Sequence, residues 1–204
     1  GPTSAPYNQF TLGMVNKSKQ SVCTYSKTDY VVDSNIIYHE GNGTVVGMIS
    51  LLRNILYHND YDIIHLHSGH MGLILILSLF PFNMKMLRHT IFTLHTSFHL
   101  LGVRNKMLVT LTALFVKITC ACGMSSLESL PSFLRKILGR RLCYITNSYN
   151  EGRIEELSYK SYDKKLFSNL AGLKMVCVGT LNDNKNQIQV LNALKLCKEI
   201  KGQL

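Results

Sequence analysis

The sequence has no apolar run long enough to cross a membrane. Its longest apolar run, residues 72–82, is interrupted by Ser78 and Pro81, whereas a membrane-spanning helix needs about 20 consecutive apolar residues. We therefore expect residues 72–82 to form a buried helix. The first residues also lack the charged, apolar and cleavable pattern of a secretory signal. These two absences predict a cytoplasmic protein.

The sequence also lacks a second cysteine or histidine pair at zinc-finger spacing from Cys120 and Cys122. At least four of the six cysteines fall inside apolar runs, where a thiol behaves as a small apolar residue. A disulfide framework is typical of shorter and less apolar chains. We therefore expect free thiols and no structural metal.

Acidic residues are scarce. The 204 residues include 12 Asp and Glu against 22 Lys and Arg, a formal net charge of +10. A basic chain of this kind binds nucleic acid, an anionic membrane surface or a polyanionic small ligand. Its cations are dispersed rather than arranged in a stripe, which disfavours nucleic acid. With 46% hydrophobic residues the chain is globular, and its length suits one full domain and part of another.

Short apolar runs rich in Ile, Val, Leu and Thr predict buried parallel strands. Five such runs cover residues 62–68, 90–96, 117–123, 141–147 and 174–180, and two earlier strands are expected at 21–26 and 35–41. Helices are expected between them, at 7–16, 45–57, 70–80, 105–116, 125–139 and 185–200. The helix at 125–139 has two candidate starts: Ser125, where Glu128 completes a capping box, or nearer Ser129, because Pro131 fits best in a first turn. This alternation predicts an α/β fold with a parallel sheet and flanking helices.

The polar residues that follow the strands are the candidate site. Ligands of parallel sheets bind at the carboxyl ends of the strands. The residues at those ends are His67, Ser68, His95, Thr96, Asn147, Gly179 and Thr180.

Five segments, in this order, resemble the family 4 glycosyltransferases. DIIHLHS (62–68) is similar to the family's strand with a D-hydrophobic-hydrophobic-H-x-H pattern, and TIFTLHTSFH (90–99) to its strand ending in a cleft-facing histidine. Residues 145–147 and 151–154 resemble the segment that leaves the first domain. VGTLNDNKNQIQVLNAL (178–194) resembles the opening of the second domain, where a V-G-R-L-x-x-x-K loop meets the donor diphosphate.

The resemblance implies a GT-B fold, in which two Rossmann-like domains face each other across a cleft. It divides the chain into an acceptor-side domain at 1–147, a linker at 148–173 and the first strand and helix of a truncated donor-binding domain at 174–204. The implied activity is retaining transfer of a sugar from a nucleotide-diphosphate sugar to a glycan or lipid-linked acceptor. Surface polysaccharide synthesis is the expected setting.

The resemblance also implies roles for individual residues. His95 would position the transferred sugar, and the acceptor side of the cleft would be lined by His67, Ser68, Thr96 and Ser97. The residues expected near the donor are Gly1, Gly179, Thr180 and Lys185, with the Lys185 cation on the diphosphate. The nucleotide sugar is a co-substrate, so the resemblance implies no cofactor.

The chain departs from the family pattern at several points. Thr180 stands where the family usually has arginine, and Asn186 replaces a common glycine. The Glu-x7-Glu donor motif would lie beyond Leu204, and the family's first strand would precede Gly1. We therefore expect a fragment of a longer protein, or the product of a degraded gene. In either case the first, central strand is missing and the chain shows no transferase activity alone.

Three other functions compete with this interpretation. A non-catalytic binding domain derived from such an enzyme would keep only an acceptor or partner surface. A basic nucleic-acid-binding α/β protein is suggested by charge alone, and the His65–His67 pair could indicate a metal-dependent hydrolase. Cations at the ends of segment 105–116 suit peripheral contact with an anionic membrane, although an ordinary amphipathic helix is the slightly favoured explanation.

Overall fold

A computed structural model describes residues 19–27 and 36–146, the single residues 155, 177 and 179, and residues 186–201, with side chains as far as 196. The chain divides into two compact units, Gly1–Tyr149 and Asn150–Leu204. The helix expected at 7–16, most of the expected linker and most of the strand expected at 174–180 lie outside the described residues.

Strands and helices alternate along the first unit. The strands are β1 (Gln20–Thr24), β2 (Ile36–Glu40), β3 (Ile64–Leu66), β4 (Thr90–Leu94), β5 (Ile118–Ala121) and β6 (Leu142–Tyr144). The helices are α1 (Val45–His58), α2 (Gly69–Leu79), α3 (Val103–Phe115), α4 (Met124–Glu128) and α5 (Ser132–Leu138). Short 3-10 turns cover Met84–His89, Phe98–Leu100 and Gly139–Arg141. In the second unit the described helix is α6 (Gln187–Lys201).

All the strand pairs are parallel. β3, β4, β5 and β6 form a four-stranded sheet in that order, with Ile91 opposite both His65 and Ile118. β1 and β2 pair as a separate two-stranded sheet. Within the described residues no ladder joins the two sheets. The prediction of an α/β fold with parallel strands and flanking helices is confirmed. The missing central strand stays a prediction.

The main core lies on one face of the four-stranded sheet. Because successive side chains of a strand point to opposite faces, Phe92 and Leu94 of β4 enter the core while Ile91 and Thr93 point to the other face. The core side chains come from the strands, from α2, α3 and α5, and from the turns between them: Leu66, Leu75, Ile76, Leu79, Leu87, Phe92, Leu94, Phe98, Val109, Ala113, Val116, Leu130, Leu134 and Leu138. This packing fixes which residues face the opposite side of the sheet.

The segment expected to form one helix, from Ser125 or from nearer Ser129 to Gly139, forms two helices. α4 ends at Glu128 and α5 begins at Ser132, with Pro131 immediately before it. Proline has no amide hydrogen and its ring clashes with the preceding turn of a helix, so it is accommodated at a helix start but not inside a continuous helix. The Pro131 ring therefore separates helices α4 and α5.

The burial expected for residues 72–82 is wrong at its end. α2 is buried along most of its length, but Phe80 and Phe82 are 60% and 93% exposed. The helix stops at Leu79 because Pro81 cannot continue it, so both phenyl rings project beyond the packed layer.

Candidate carboxyl-edge site

Three side chains with acid–base chemistry follow three adjacent strands of the sheet. His67 comes directly after β3, His95 directly after β4 and Cys122 directly after β5. The residues before them, Leu66, Leu94 and Ala121, are buried. The alternation of a strand therefore turns the next side chain to the opposite face. Parallel strands end at the same edge, so the three groups meet there.

His95 is hydrogen-bonded on both sides of its ring. Its Nε2 lies 3.0 Å from His67 Nδ1, and its Nδ1 lies 3.3 Å from Cys122 Sγ. Two proton arrangements satisfy this chain: the thiol donates to His95, which donates to His67, or both bonds run in reverse. His95 Nδ1 is thus an acceptor in one arrangement and a donor in the other. We call His67, His95 and Cys122 the imidazole–thiol chain.

A third histidine supports the chain from inside the sheet. His65 Nε2 lies 2.7 Å from Thr93 Oγ1, across the β3–β4 pair. The His65 and His67 ring centroids are 4.2 Å apart, and the His67 and His95 rings stack with centroids 5.3 Å apart. These contacts restrict the rotamers of His67 and hence the orientation of its bond to His95.

The imidazoles of His65, His67 and His95 are neutral at pH 7. Burial, together with repulsion from the two neighbouring imidazoles, lowers the pKa of His67 to about 4. Burial lowers the pKa of His95, and burial with repulsion from His95 lowers the pKa of His65. Three close imidazoles resist taking up protons because each new charge would be poorly solvated and close to another.

The thiol is also uncharged. Burial raises the pKa of the Cys122 side chain, so it remains a thiol at neutral pH. The imidazole–thiol chain therefore offers hydrogen-bond donors and acceptors without a net charge. Such a surface suits uncharged hydroxyl groups and does nothing to balance the charge of a phosphate.

The hydroxyl residues expected near the histidines have local structural roles. Ser68 caps α2, where its hydroxyl accepts a hydrogen bond from the Met71 amide at 3.2 Å. Thr96 is exposed directly after His95, and Ser97 is half-buried at the start of the Phe98–Leu100 turn. All three therefore lie at the same edge as His67 and His95.

Of the residues expected to bind the donor, the structure describes Gly179 alone. Gly179 is an exposed residue at a bend in the second unit. Gly1, Asn147, Thr180 and Lys185 lie outside the described residues.

Sequence reasoning missed Cys122 as part of the site. Its place inside the apolar run 117–123 predicts a thiol that behaves as a small apolar residue. The available signal was its position: it follows the strand next to that of His95, at the same edge as the histidines. The structure brings its sulfur within hydrogen-bonding distance of His95 Nδ1.

Within the described part of the chain, no group of three or more His, Cys, Asp or Glu side chains has the arrangement needed to hold a metal ion. Among the same residues, no helix combines the length and apolar character required to traverse a bilayer. Comparison of the chain with protein-family models, with curated proteins and with solved structures gives no match.

The lowered pKa of His67 predicts a stability that depends on pH. The unfolded chain takes up a proton near pH 6.5, whereas the folded chain does so only near pH 4. The unfolded state therefore binds more protons between these values, and the free energy of unfolding falls as the pH decreases through this window. After allowance for partial exposure, we expect a loss of roughly 1–2 kcal/mol.

Denaturant unfolding of the wild type and His67→Asn at several pH values between 4 and 7 measures this loss. The amide oxygen of the introduced asparagine would stand close to the position of the imidazole Nδ1 and keep an acceptor for His95 without titrating. We expect a shallower pH dependence in the variant. If the free energy of unfolding changes with pH by the same slope in both proteins, His67 does not contribute to the pH dependence.

Proposed function

We propose that this protein is a retaining glycosyltransferase of the family 4 type, and that the imidazole–thiol chain positions an uncharged sugar. The observation that carries the proposal is the neutral, doubly hydrogen-bonded His95 at the carboxyl edge of a parallel sheet. A sugar hydroxyl would replace the Cys122 thiol on His95 Nδ1, while His67 continues to hold the other ring nitrogen. The thiol–imidazole bond is the weaker of the two, so it is the one released.

The second unit supplies an independent supporting feature. Asn186, which stands where the resembling family commonly has glycine, adopts φ of 49°. This left-handed conformation is natural for glycine and is tolerated by asparagine better than by most residues. A glycine would adopt the same conformation without strain, so asparagine at this position is compatible with the loop that the resemblance implies. Asn186 directly precedes α6, next to the lysine expected on the donor diphosphate.

In this proposal the donor is a nucleotide-diphosphate sugar and the acceptor a glycan or a lipid-linked glycan. The protein's share in the chemistry is to hold the sugar and acceptor together and to stabilise the departing diphosphate. The first task falls to His95 and the second to Lys185. We place the reaction in the cytoplasm, at the inner face of a membrane where a lipid-linked acceptor is available.

The experiment is acceptor-dependent release of nucleoside diphosphate, measured on the protein in its native form, purified from the cells that make it. We expect release from one nucleotide sugar of a panel. Lys185→Ala should raise the KM for that donor about tenfold, since it removes a charge-assisted contact. Lys195→Ala, a change to another cation of the second unit, serves as the matched control. Equal effects of the two substitutions would contradict the role of Lys185.

A further inference from the structure

Two cysteines lie side by side on adjacent strands of the four-stranded sheet. Cys120 is in β5 and Cys143 in β6, and the parallel register places them directly opposite each other. Both are free thiols in the structure. Neighbouring strands lie about 4.8 Å apart, which falls inside the range of Cα separations found in disulfides, roughly 4.4–6.8 Å. We call Cys120 and Cys143 the thiol pair.

The thiol pair lies on the face of the sheet that carries the histidines. Cys120 is opposite Thr93 of β4 on one side and Cys143 on the other. Thr93 points away from the core and is bonded to His65, so these four residues form one row across the sheet. Leu142, the residue before Cys143, packs against the core on the other face.

The Cys143 side chain leans from β6 toward β5. Its sulfur lies 3.9 Å from the backbone oxygen of Thr119, the residue before Cys120 on the neighbouring strand. A hydrogen bond joins the Cys120 and Cys143 side chains. The two sulfur atoms are therefore neighbours before any bond forms between them.

The two thiols differ in their access to solvent. Cys143 is exposed, whereas Cys120 is 6% exposed. Burial, followed by the neighbouring side chains of Cys143 and Cys122, raises the pKa of the Cys120 thiol to about 11. A dissolved reagent therefore meets Cys143 first, and Cys120 is shielded from direct reaction.

Cys122 lies on the same face but is not placed to replace either member of the thiol pair. Two residues along a strand are about 6.6 Å apart with parallel side chains, whereas the Cβ atoms of a disulfide are roughly 3.5–4.5 Å apart. The diagonal from Cys122 to Cys143 is longer still. Cys122 Sγ instead contacts His95 Nδ1 at 3.3 Å.

We propose that the thiol pair is a redox site, oxidised to a cross-strand disulfide by a low-molecular-weight disulfide such as oxidised glutathione. In the first step the Cys143 thiolate attacks one sulfur of the reagent. The reagent's S–S bond breaks, and one glutathione leaves as a thiolate and takes up the proton that Cys143 released. In the second step the Cys120 thiolate attacks the Cys143 sulfur, and the second glutathione leaves with the proton from Cys120. Two protein thiols are oxidised while one disulfide is reduced to two thiols.

The cross-strand disulfide is expected to be easily reduced. The Cβ atoms of opposite residues in a parallel pair start about 4.8 Å apart, so β6 must move slightly toward β5 to form the bond. β6 can make this shift because, within the described residues, it pairs with β5 alone. Departures from standard geometry make a disulfide more reducible, and disulfides in reducing compartments are typically transient.

This oxidation goes beyond the proposed sugar transfer and does not depend on it. The thiol pair shares no residue with the imidazole–thiol chain. Its oxidation is measured as a change in covalent mass, without a nucleotide sugar or an acceptor. Failure of either proposal is thus visible separately.

The test is incubation of the purified full chain with mixtures of reduced and oxidised glutathione, followed by alkylation of the remaining thiols and peptide mapping by mass spectrometry. We expect two peptides linked through Cys120 and Cys143, and separation of the two by dithiothreitol. Cys120→Ser should instead carry glutathione on Cys143, at least about tenfold more than the wild type, because the second step cannot follow. In Cys143→Ser, Cys120 should stay reduced while the protein is folded.

The control is Cys23→Ser. Cys23 is a half-buried thiol of β1 in the two-stranded sheet, and burial raises its pKa to about 11 as well. We expect its yield of the Cys120–Cys143 disulfide to stay within about twofold of the wild type, since its thiol takes no part in the exchange. Circular dichroism confirms that all variants are folded.

Three results would overturn the proposal. A linked peptide that joins Cys143 to a cysteine other than Cys120 would show that the register does not select the partner. Stable glutathione on Cys143 of the wild type would show that Cys120 cannot reach it. Alkylation of both thiols after incubation with oxidised glutathione would show that the thiol pair is not oxidised at all.

Discussion

Replacing Gly72 with alanine is expected to lower the free energy of unfolding by about 2–4 kcal/mol, because overpacking a close helix contact forces backbone or side-chain shifts. Gly72 lies in α2 against α3. A Cβ atom at this position would collide with the hydroxyl and methyl groups of Thr112, which is fully buried. Thr112 Oγ1 also donates to the Gly69 oxygen at 3.2 Å, so it cannot turn away without losing that bond.

A loss of stability is the opposite of what a glycine-to-alanine change in a helix usually causes. Alanine in the interior of a helix is normally more favourable than glycine by about 1 kcal/mol. Gly47→Ala in α1 provides the comparison, because the atoms nearest to its new methyl group belong to the exposed side chain of Asn42. That side chain can turn into solvent at the cost of the hydrogen bonds that its Oδ1 accepts from Thr44. We expect that variant to remain within about 1 kcal/mol of the wild type.

Urea denaturation followed by circular dichroism measures both variants, and Thr112→Ala tests the cause. Removing the threonine hydroxyl and methyl makes room for the new methyl group. The double variant should therefore lose less stability than the sum of the single variants, with a coupling free energy of about 1 kcal/mol or more. Strict additivity would mean that α2 and α3 do not meet at this glycine.

His95→Ala is expected to lower the rate of sugar transfer by about 100-fold, the loss typical when an oriented hydrogen-bonding group is removed from a reacting complex. The imidazole–thiol chain would then lose its central member, and neither His67 nor Cys122 could replace it at the same position. Affinity for the bare nucleoside diphosphate should stay the same, because in the proposed complex the neutral imidazole would contact the sugar and not the phosphates.

Two measurements separate this role from a structural one. The first is titration calorimetry of His95→Ala and the wild type with the nucleoside diphosphate and with the nucleotide sugar. The substitution should weaken binding of the nucleotide sugar and leave binding of the nucleoside diphosphate unchanged. His99→Ala, which removes an exposed histidine from the turn after β4, is the matched control and should leave transfer unchanged. Equal losses of affinity for both ligands in His95→Ala would indicate that the substitution distorts the fold instead.

The strand pattern allowed the carboxyl-edge histidines to be found from the sequence. A run such as TIFTLH shows β-branched and apolar residues with a polar residue at its end, and β4 is indeed largely buried from Thr90 to Leu94 with His95 exposed. Since parallel strands of one sheet end together, the edge shared by His67 and His95 follows from recognising the two strands.

Other parts of the site depend on information that local patterns do not contain. The order of the strands in the sheet decides that Cys122, and not another thiol, reaches His95. The lowered pKa of His67 depends on the burial of its ring and on its closeness to the imidazoles of His65 and His95, which come from two strands. The exposure of Phe82 depends on where a helix ends relative to the packed layer, and an apolar run as such indicates only burial.

The proposed sugar transfer is tested most directly by incubating the native protein with a nucleotide sugar and a lipid-linked glycan acceptor. The product is identified by mass spectrometry and by NMR of the new glycosidic bond. We expect an acceptor extended by one sugar that retains the anomeric configuration of the donor, and almost no product from His95→Ala. Release of nucleoside diphosphate without an extended acceptor, or an active His95→Ala variant, would contradict it.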